Sequence, residues 1–294
     1  MSGGSAARVA GRFELAYAPL EPGAGDLGEI AILPWDTDIF GFAVADYRPP
    51  APAELARAVG RFRRAIPEWA NAHAVELVGC RVPGDAAQGS TPLALSDFRL
   101  VEVQIRATLT PLVPSRLPPC RLTVRPAESL DAEPVARIAG TAFAFGRYHA
   151  DPLFPRSLAH RRFRVWMERT LAAPTEGTWI GVVGPPGRPE GFVHAELASE
   201  TADIRLIATD PAGAGLAGPE LLLGALHAGA ARGARRATAQ LSAANCAALN
   251  LYASLGFRFH EPELVFHWSR PGSRHFAGAP AGAEREGTPW TAPR

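Results

Sequence analysis

The chain has 294 residues, 47% of them hydrophobic and 20% charged, with a formal net charge of +1. That length allows one large or two smaller domains with ample core material. Near neutrality excludes a general nucleic-acid binder, which needs a strongly basic face. Three widely spaced cysteines, Cys80, Cys120 and Cys246, form neither a metal-ligand pair nor a disulfide framework, so a reducing cytoplasm and no metal site are expected. No run of about 18 apolar residues suggests a membrane span, and residues 1–12 lack the apolar segment of a signal peptide.

Residues 1–12 are small and polar and read as a disordered N-terminus. An N-terminal α/β domain is expected over 13–110. Strand candidates lie at 13–17 and 30–33. Leu33-Pro34-Trp35-Asp36-Thr37-Asp38-Ile39-Phe40-Gly41-Phe42 is dense in turn formers and aromatics. It reads as a packed turn anchored by Trp35 and Phe40, followed by a strand over 42–47. Leu55, Val59, Phe62, Ile66 and Trp69 recur at spacings of four and three, one face of a helix over 52–72. A strand follows at 75–82, a short helix at 91–97 and a second strand at 98–109. In that strand Val103, Ile105, Ala107 and Leu109 face one way, and Glu102, Gln104, Arg106 and Thr108 the other. The polar face is either solvated or the wall of a cleft, with Glu102 a carboxylate near the chemistry.

Pro111, Pro114, Pro118 and Pro119 mark 111–121 as a stiff, extended linker. A second domain is expected over 122–268. It begins with a strand at 122–125 and a helix over 129–145, whose first turns carry Asp131, Glu133 and Pro134. Phe145-Gly146-Arg147-Tyr148-His149-Ala150-Asp151-Pro152 comes next. A basic helix around Trp166 then follows, on which Arg161, Arg162 and Arg164 read as a solvated face. Strands at 178–183 and 191–197 flank a Gly- and Pro-rich hairpin connection, and a third spans 202–209. The run Gly213-Ala214-Gly215-Leu216-Ala217-Gly218 opens a helix, with Pro219 placed as its first residue. A helix N-terminus reached through glycines is a ready anion site, because its free N–H groups point outward and its dipole favours negative charge. After a strand at 236–241, Asn245 is placed to cap a short helix. Tyr252 stands one turn before that helix ends, and Gly256 supplies the left-handed residue that ends it. A strand at 264–268 closes the domain. Residues 269–294, rich in Gly, Ala, Pro and Arg, read as a disordered tail.

Strand, glycine loop, helix, strand, Asn-capped helix with Tyr252, then Gly256-Phe257 and a strand: this order resembles the GNAT superfamily of acyl-CoA-dependent N-acetyltransferases. The fold implied is α/β, the GNAT acyl-CoA N-acyltransferase fold with a mixed, centrally splayed sheet, preceded by a smaller α/β domain. Phe98-Arg99-Leu100 and Gly256-Phe257-Arg258-Phe259 occupy similar helix-then-strand contexts, so that smaller domain is expected to be a truncated GNAT-like half. Three segments are similar to the dTDP-fucosamine acetyltransferase branch. One is Trp35-Asp36 with Phe40-Gly41-Phe42. Another is Gly146-Arg147-Tyr148-His149-Ala150-Asp151-Pro152, where Gly146 replaces the usual Ser. The last is Leu100-Val101-Glu102, which follows Asp97-Phe98 instead of Gly-Phe.

The resemblance implies acetyl-CoA as acyl-donor cosubstrate and a small-molecule amine acceptor, with a nucleotide-linked amino sugar as one form of it. It implies no metal, nucleic acid or membrane, and leaves a homodimer open. Backbone N–H groups around Ile207, Ala208 and Thr209 would receive the thioester carbonyl. Gly213, Gly215, Ala217 and Gly218 would cradle the coenzyme pyrophosphate, with Asn245 a further contact besides its cap. Tyr252, a phenol with a reference pKa of about 10, would protonate the departing thiolate. Glu102 would take the proton of the amine. Arg147, Tyr148 and His149 would contact the acceptor, Arg147 suiting a phosphate. The family loop, Gln/Arg-x-x-Gly-x-Gly/Ala, is not reproduced. One register puts Ala212 where the Gln or Arg belongs, and the other puts Asp210 there. Backbone donors remain, and a lost charged donor weakens binding by about 1–3 kcal/mol. Two functions follow: acetyl transfer by direct attack in a ternary complex, or a GNAT-fold module that binds acyl-CoA or another ligand and has lost efficient catalysis.

Overall fold

The computed structural model describes residues 15–21, 24–198, 200–213 and 217–276. The expectations for residues 1–12, for Gly215 and for 277–294 of the tail lie outside them. The first half runs β1 (Ala18–Glu21), β2 (Ala24–Ile32), α1 (Pro34–Phe40), β3 (Ala43–Arg48), α2 (Pro52–Arg57), α3 (Val59–Ala72), β4 (Val75–Pro83), α4 (Ser90–Ala94) and β5 (Arg99–Leu109). The second runs β6 (Val124–Pro126), α5 (Ala132–Ala142), α6 (Arg147–Ala150), α7 (Arg156–Ala172), β7 (Thr178–Val183), β8 (Gly191–Leu197), β9 (Thr201–Thr209), α8 (Ala217–Ala231), β10 (Arg236–Ser242), α9 (Cys246–Ser254) and β11 (Arg258–Ser269). Among the described residues no helix is long and apolar enough to cross a membrane.

All eleven strands join one sheet in the order β1-β2-β3-β4-β11-β5-β10-β9-β8-β7-β6. Two pairs are parallel, β3 with β4 and β9 with β10. Each parallel pair is followed by a helix and a last strand, α4 then β5 in the first half and α9 then β11 in the second. Neither last strand lies beside its own pair. β11 separates β5 from β4, and β5 separates β11 from β10. The two last strands are thus exchanged about the β5–β11 contact. The cores are exchanged with them. Phe266 and Trp268 are buried among Tyr47, Phe62 and Phe98 of the first half. Ala107 and Leu112 are buried among Leu221, Leu226 and Phe257 of the second.

Several elements differ from the sequence expectation. The helix over 52–72 is two helices broken at Ala58. The strand at 264–268 is the second half of a strand beginning at Arg258, with irregular pairing to β5 between His260 and Glu263. The polar stretch His260-Glu261-Pro262-Glu263 hides that continuity. Helix α8 starts at Ala217, two residues before Pro219. Residues 269–276 are held in place, contrary to the expected tail. Arg270 donates to the Val75 carbonyl at 3.0 Å and the Ala70 carbonyl at 2.6 Å, and Phe276 packs on Phe42.

Candidate active site

Strand β9 pairs with β10 only from Thr201 to Ile204. Opposite β8 its register shifts between Leu206 and Ile204, leaving Arg205 as an extra residue. A bulge of this kind bends and twists its strand, here where β9 leaves β10. Residues 205–209, including Ile207, Ala208 and Thr209, therefore keep β8 on one edge and have no strand on the other. Pairing thus holds at the N-terminal ends of both strands and is lost before their C-terminal ends, where β9 leads to the glycine loop and β10 to α9.

The two faces of the gap differ. Residues facing each other across paired strands share a face, so Ala107 and Ala239 lie on one and Gln104 and Ser242 on the other. Ala107 and Ala239 are core residues together with Tyr252 of α9. Asn245 caps that helix, its side chain accepting the Ala248 N–H at 3.1 Å. Tyr252 packs edge-on against Phe257, and its hydroxyl makes no hydrogen bond to a described residue. Burial, helped by the Asp203 carboxylate, pushes the phenol well above its ordinary value. Tyr252 therefore keeps its proton until a stronger base is generated beside it.

Glu102 lies on the opposite face. It is 5% exposed and accepts from Gln104 Nε2 at 2.8 Å. Burial pushes its carboxyl up, against hydrogen bonds from Gln104 and Ser242 and the charges of Arg147 and Arg81. Asp203 of β9 lies beside the gap as well, held by Thr238 Oγ1 at 2.9 Å and Arg205 Nη1 at 2.8 Å. The phenol and the buried carboxylate thus lie on opposite faces of the sheet.

At the mouth of the gap, Ala217 and Gly218 begin a helix of 15 residues. Among the described residues a Cβ on Gly218 would meet nothing closer than Thr209 Cγ2 at 4.0 Å. These features fit a coenzyme pyrophosphate. Asp210 does not replace the missing family cation. Its carboxylate accepts the Ala212 N–H at 3.0 Å and binds Arg137 Nη2 of α5 at 2.6 Å, while Gly213 N–H donates to the Asp210 carbonyl at 2.9 Å. Arg137 reaches this loop from α5, and the Asp210 carboxylate meets its charge. No spacing in the sequence connects residues 137 and 210; only the packing of α5 beside β9 does.

The acceptor candidates divide. Arg147 Nη2 lies 3.0 Å from Asp36 Oδ2, and the Tyr148 hydroxyl donates to the same oxygen at 2.6 Å. Arg162 Nε donates to the other oxygen at 2.7 Å. The charge of Arg147, expected for a phosphate, is met by Asp36. Arg162, expected on a solvated face, points inward, stacked near Trp35 and Trp166. Asp36 is 3% exposed. Burial works to raise its carboxyl, and Arg162, Arg147 and Tyr148 hold it down at about 2. Sequence reasoning missed it because an acid inside an aromatic turn looks like turn chemistry. His149 behaves differently. It stacks on Phe163 and meets His160 edge-on, and both its ring nitrogens are buried without a partner among the described residues. Burial, with His160, Arg156 and Arg162, lowers it to about 4, so it is neutral at pH 7. Asp151 pairs with His267 Nδ1 at 2.8 Å and with Arg99 at 3.3 Å.

The first half repeats this plan without its chemistry. Phe98 N–H donates to the Leu93 carbonyl at 3.1 Å, as Phe257 N–H donates to that of Tyr252 at 3.1 Å. The preceding residues, Asp97 and Gly256, both have positive φ. Leu93 therefore stands where Tyr252 stands, and it has no proton to give. β3 and β4 stay paired from Ala43 to Tyr47, nearly all of β3. The loop after β3 reads Pro49-Pro50-Ala51-Pro52, and proline offers no N–H to an anion. Among the described residues the parted parallel strands, a tyrosine at this position of the last helix and a glycine in the first turn of the preceding helix occur together only in the second half, beside the exchanged β5. No group of three or more His, Cys, Asp or Glu able to hold a metal is found among them.

No family model and no curated protein matches this sequence. Solved structures match in fold. A GCN5-related N-acetyltransferase from Sphaerobacter thermophilus aligns over 83% of this chain and 77% of its own, with TM-score 0.58 and 14% identity. One from Kribbella flavida aligns over 85% and 90%, with TM-score 0.53 and 18% identity. A tandem GNAT protein from the clavulanic acid biosynthesis pathway aligns over 84% and 80%, with TM-score 0.52 and 14% identity. At these identities the likeness is one of fold. The chain has the GNAT acyl-CoA N-acyltransferase fold, a mixed sheet splayed between β9 and β10, preceded by a smaller α/β half built on the same plan.

Proposed function

We propose that the protein is an N-acetyltransferase that moves an acetyl group from acetyl-CoA to the amine of a small molecule by direct attack in a ternary complex. The observation that supports this reading is the loss of β9–β10 pairing after Ile204, in a sheet with Tyr252 on one face and Glu102 on the other. Acetyl-CoA supplies an activated thioester. Backbone N–H groups on the free edge of residues 207–209 polarise its carbonyl, an electrostatic contribution that needs no side chain. Glu102, made more basic by burial, accepts the proton of the attacking amine, directly or through a water. Tyr252 gives its proton to the thiolate on the opposite face. Ala217 and Gly218, at the first turn of α8, receive the pyrophosphate through backbone N–H groups, while Gly213 N–H is taken by the Asp210 carbonyl and the charge of Arg137 by the Asp210 carboxylate.

The acceptor is a small amine entering on the Glu102 face, where His149 offers two unpaired ring nitrogens. A nucleotide-linked amino sugar rests on the likeness of the segments around Trp35, Arg147 and Glu102 to the dTDP-fucosamine branch. Arg147, engaged by Asp36, adds no phosphate contact to that choice. A thermal-shift titration tests the coenzyme first. Acetyl-CoA at about one hundred times its Kd stabilises a binder by roughly 2.7 kcal/mol, a saturable rise in Tm. Release of free thiol from acetyl-CoA with a panel of amines, nucleotide sugars included, then identifies the acceptor. No shift at millimolar coenzyme would sink the reading.

A further inference from the structure

We propose that Asp36 is a positioning residue for Glu102, acting through Arg147. It neutralises the arginine that α6 holds over the base and fixes that helix in place. This inference rests on Glu102 being the base of the reading above and adds the control of its proton.

The surroundings of Glu102 are complete enough to argue from. On its own strand it meets Gln104, and at the end of β10 it meets Ser242. Across β11 it faces Val265, which in turn faces Arg81 of β4. Arg81 lies 3.7 Å from Asp46. Two residues along β11, His267 is paired with Asp151, which also holds Arg99. Over this part of the sheet lies α6. Its Arg147 Nη1 would be 3.8 Å from a Cβ placed on Gly79, the residue opposite His267. Each of the other charged neighbours has its own counter-charge. Arg147 has Asp36, which it shares with Arg162 of α7.

The consequence is electrostatic. A bare Arg147 would hold Glu102 ionised and make it a poor proton acceptor. Asp36 offsets that charge, and burial then dominates at Glu102. The three donors on Asp36 come from Arg147, Tyr148 and Arg162, so the acid also ties α1 to α6 and α7. Removing it takes away the carboxylate paired with Arg147, leaving Asp46 as the remaining acid near that arginine, so more of its charge reaches Glu102 through a low-dielectric space. The side chain that controls the base thus lies sixty-six positions upstream of it, and the link runs through the other half of the chain.

The test is a 13C NMR titration of side-chain carboxyls in the full-length protein labelled in glutamate. The Glu102 signal is assigned by its loss in Glu102→Gln. Asp36→Asn should lower the Glu102 midpoint by roughly half a unit or more, the effect of baring a nearby charge. Arg147→Met should raise it. The acidic limb of kcat should move the same way in each variant. A folded Asp36→Asn protein with the wild-type midpoint overturns the proposal. If that variant does not fold, an unmoved midpoint in Arg147→Met does so instead. The NMR reading does not depend on turnover. An acidic limb that survives Glu102→Gln therefore removes Glu102 as base, without altering what the midpoints say about Asp36.

Discussion

At the residue scale, the proposed site depends on two ionisable groups that burial displaces from their ordinary values. Tyr252 is held protonated by its apolar surroundings and by Asp203, which suits a group that donates only when a thiolate appears. Replacing it with Phe keeps the ring against Phe257 and removes the proton. Tyr252→Phe should lower kcat about 10²-fold, the usual size of a general-acid contribution, with the acetyl-CoA Kd unchanged by calorimetry. An unaltered kcat would remove Tyr252 from the proton transfer. The elements that carry both residues were legible in the sequence, α9 from Asn245 and Gly256 and β5 from strand alternation. Asp36, Arg137 and Arg162 were not, because their partners lie 111, 73 and 126 positions away.

At the element scale, the gap arises from β9 and α8. The bulge at Arg205 turns β9 away from β10, and α8 covers the opposite face from α5 and α7. Helix α8 lies tightly on the edge strand β6. A Cβ on Gly224 would stand 2.7 Å from Val124 Cβ and Cγ1, closer than side-chain atoms pack. Val124 is β-branched and cannot swing aside. Gly224→Ala should therefore cost about 1–3 kcal/mol, read as a lower urea midpoint. A wild-type midpoint would show that β6 yields without cost. The hairpin strands β7 and β8 were legible to the residue because alternation and a Gly-Pro connection mark them. The bulge was not, since a single extra residue leaves no mark in hydrophobic periodicity.

For the whole molecule, strand exchange makes the two halves one structure. β5 supplies the neighbour that β10 and β11 both need, and β11 does the same for β4 and β5. A cut in the 111–121 linker would strip β10 of one partner and remove Ala107 from the core around Tyr252. Leu112 and Pro118 of that linker are themselves docked on the second half, through the Arg235 carbonyl at 2.7 Å and His227 at 2.9 Å. Residues 122–294 expressed alone should lack a cooperative thermal transition, and the full chain should unfold in one. A cooperative transition in the fragment, seen by near-ultraviolet circular dichroism, would show that the second half closes its sheet without β5.

By itself the sequence determined what is local. It set the strands and helices with clear periodicity, the Asn245 cap, the Tyr252 position before Gly256, the glycine in the first turn of α8, and the helix-then-strand likeness of the two halves. Those follow from near-neighbour sterics and hydrogen bonding, which a short stretch of chain carries in full. Only the tertiary structure decided which strands exchange, that Glu102 and Tyr252 take opposite faces of one sheet, and that Asp36 claims Arg147 and Arg162. These depend on pairing between strands more than a hundred residues apart and on burial that brings distant charges into a low-dielectric space. Neither pairing partner nor burial is encoded within any single segment.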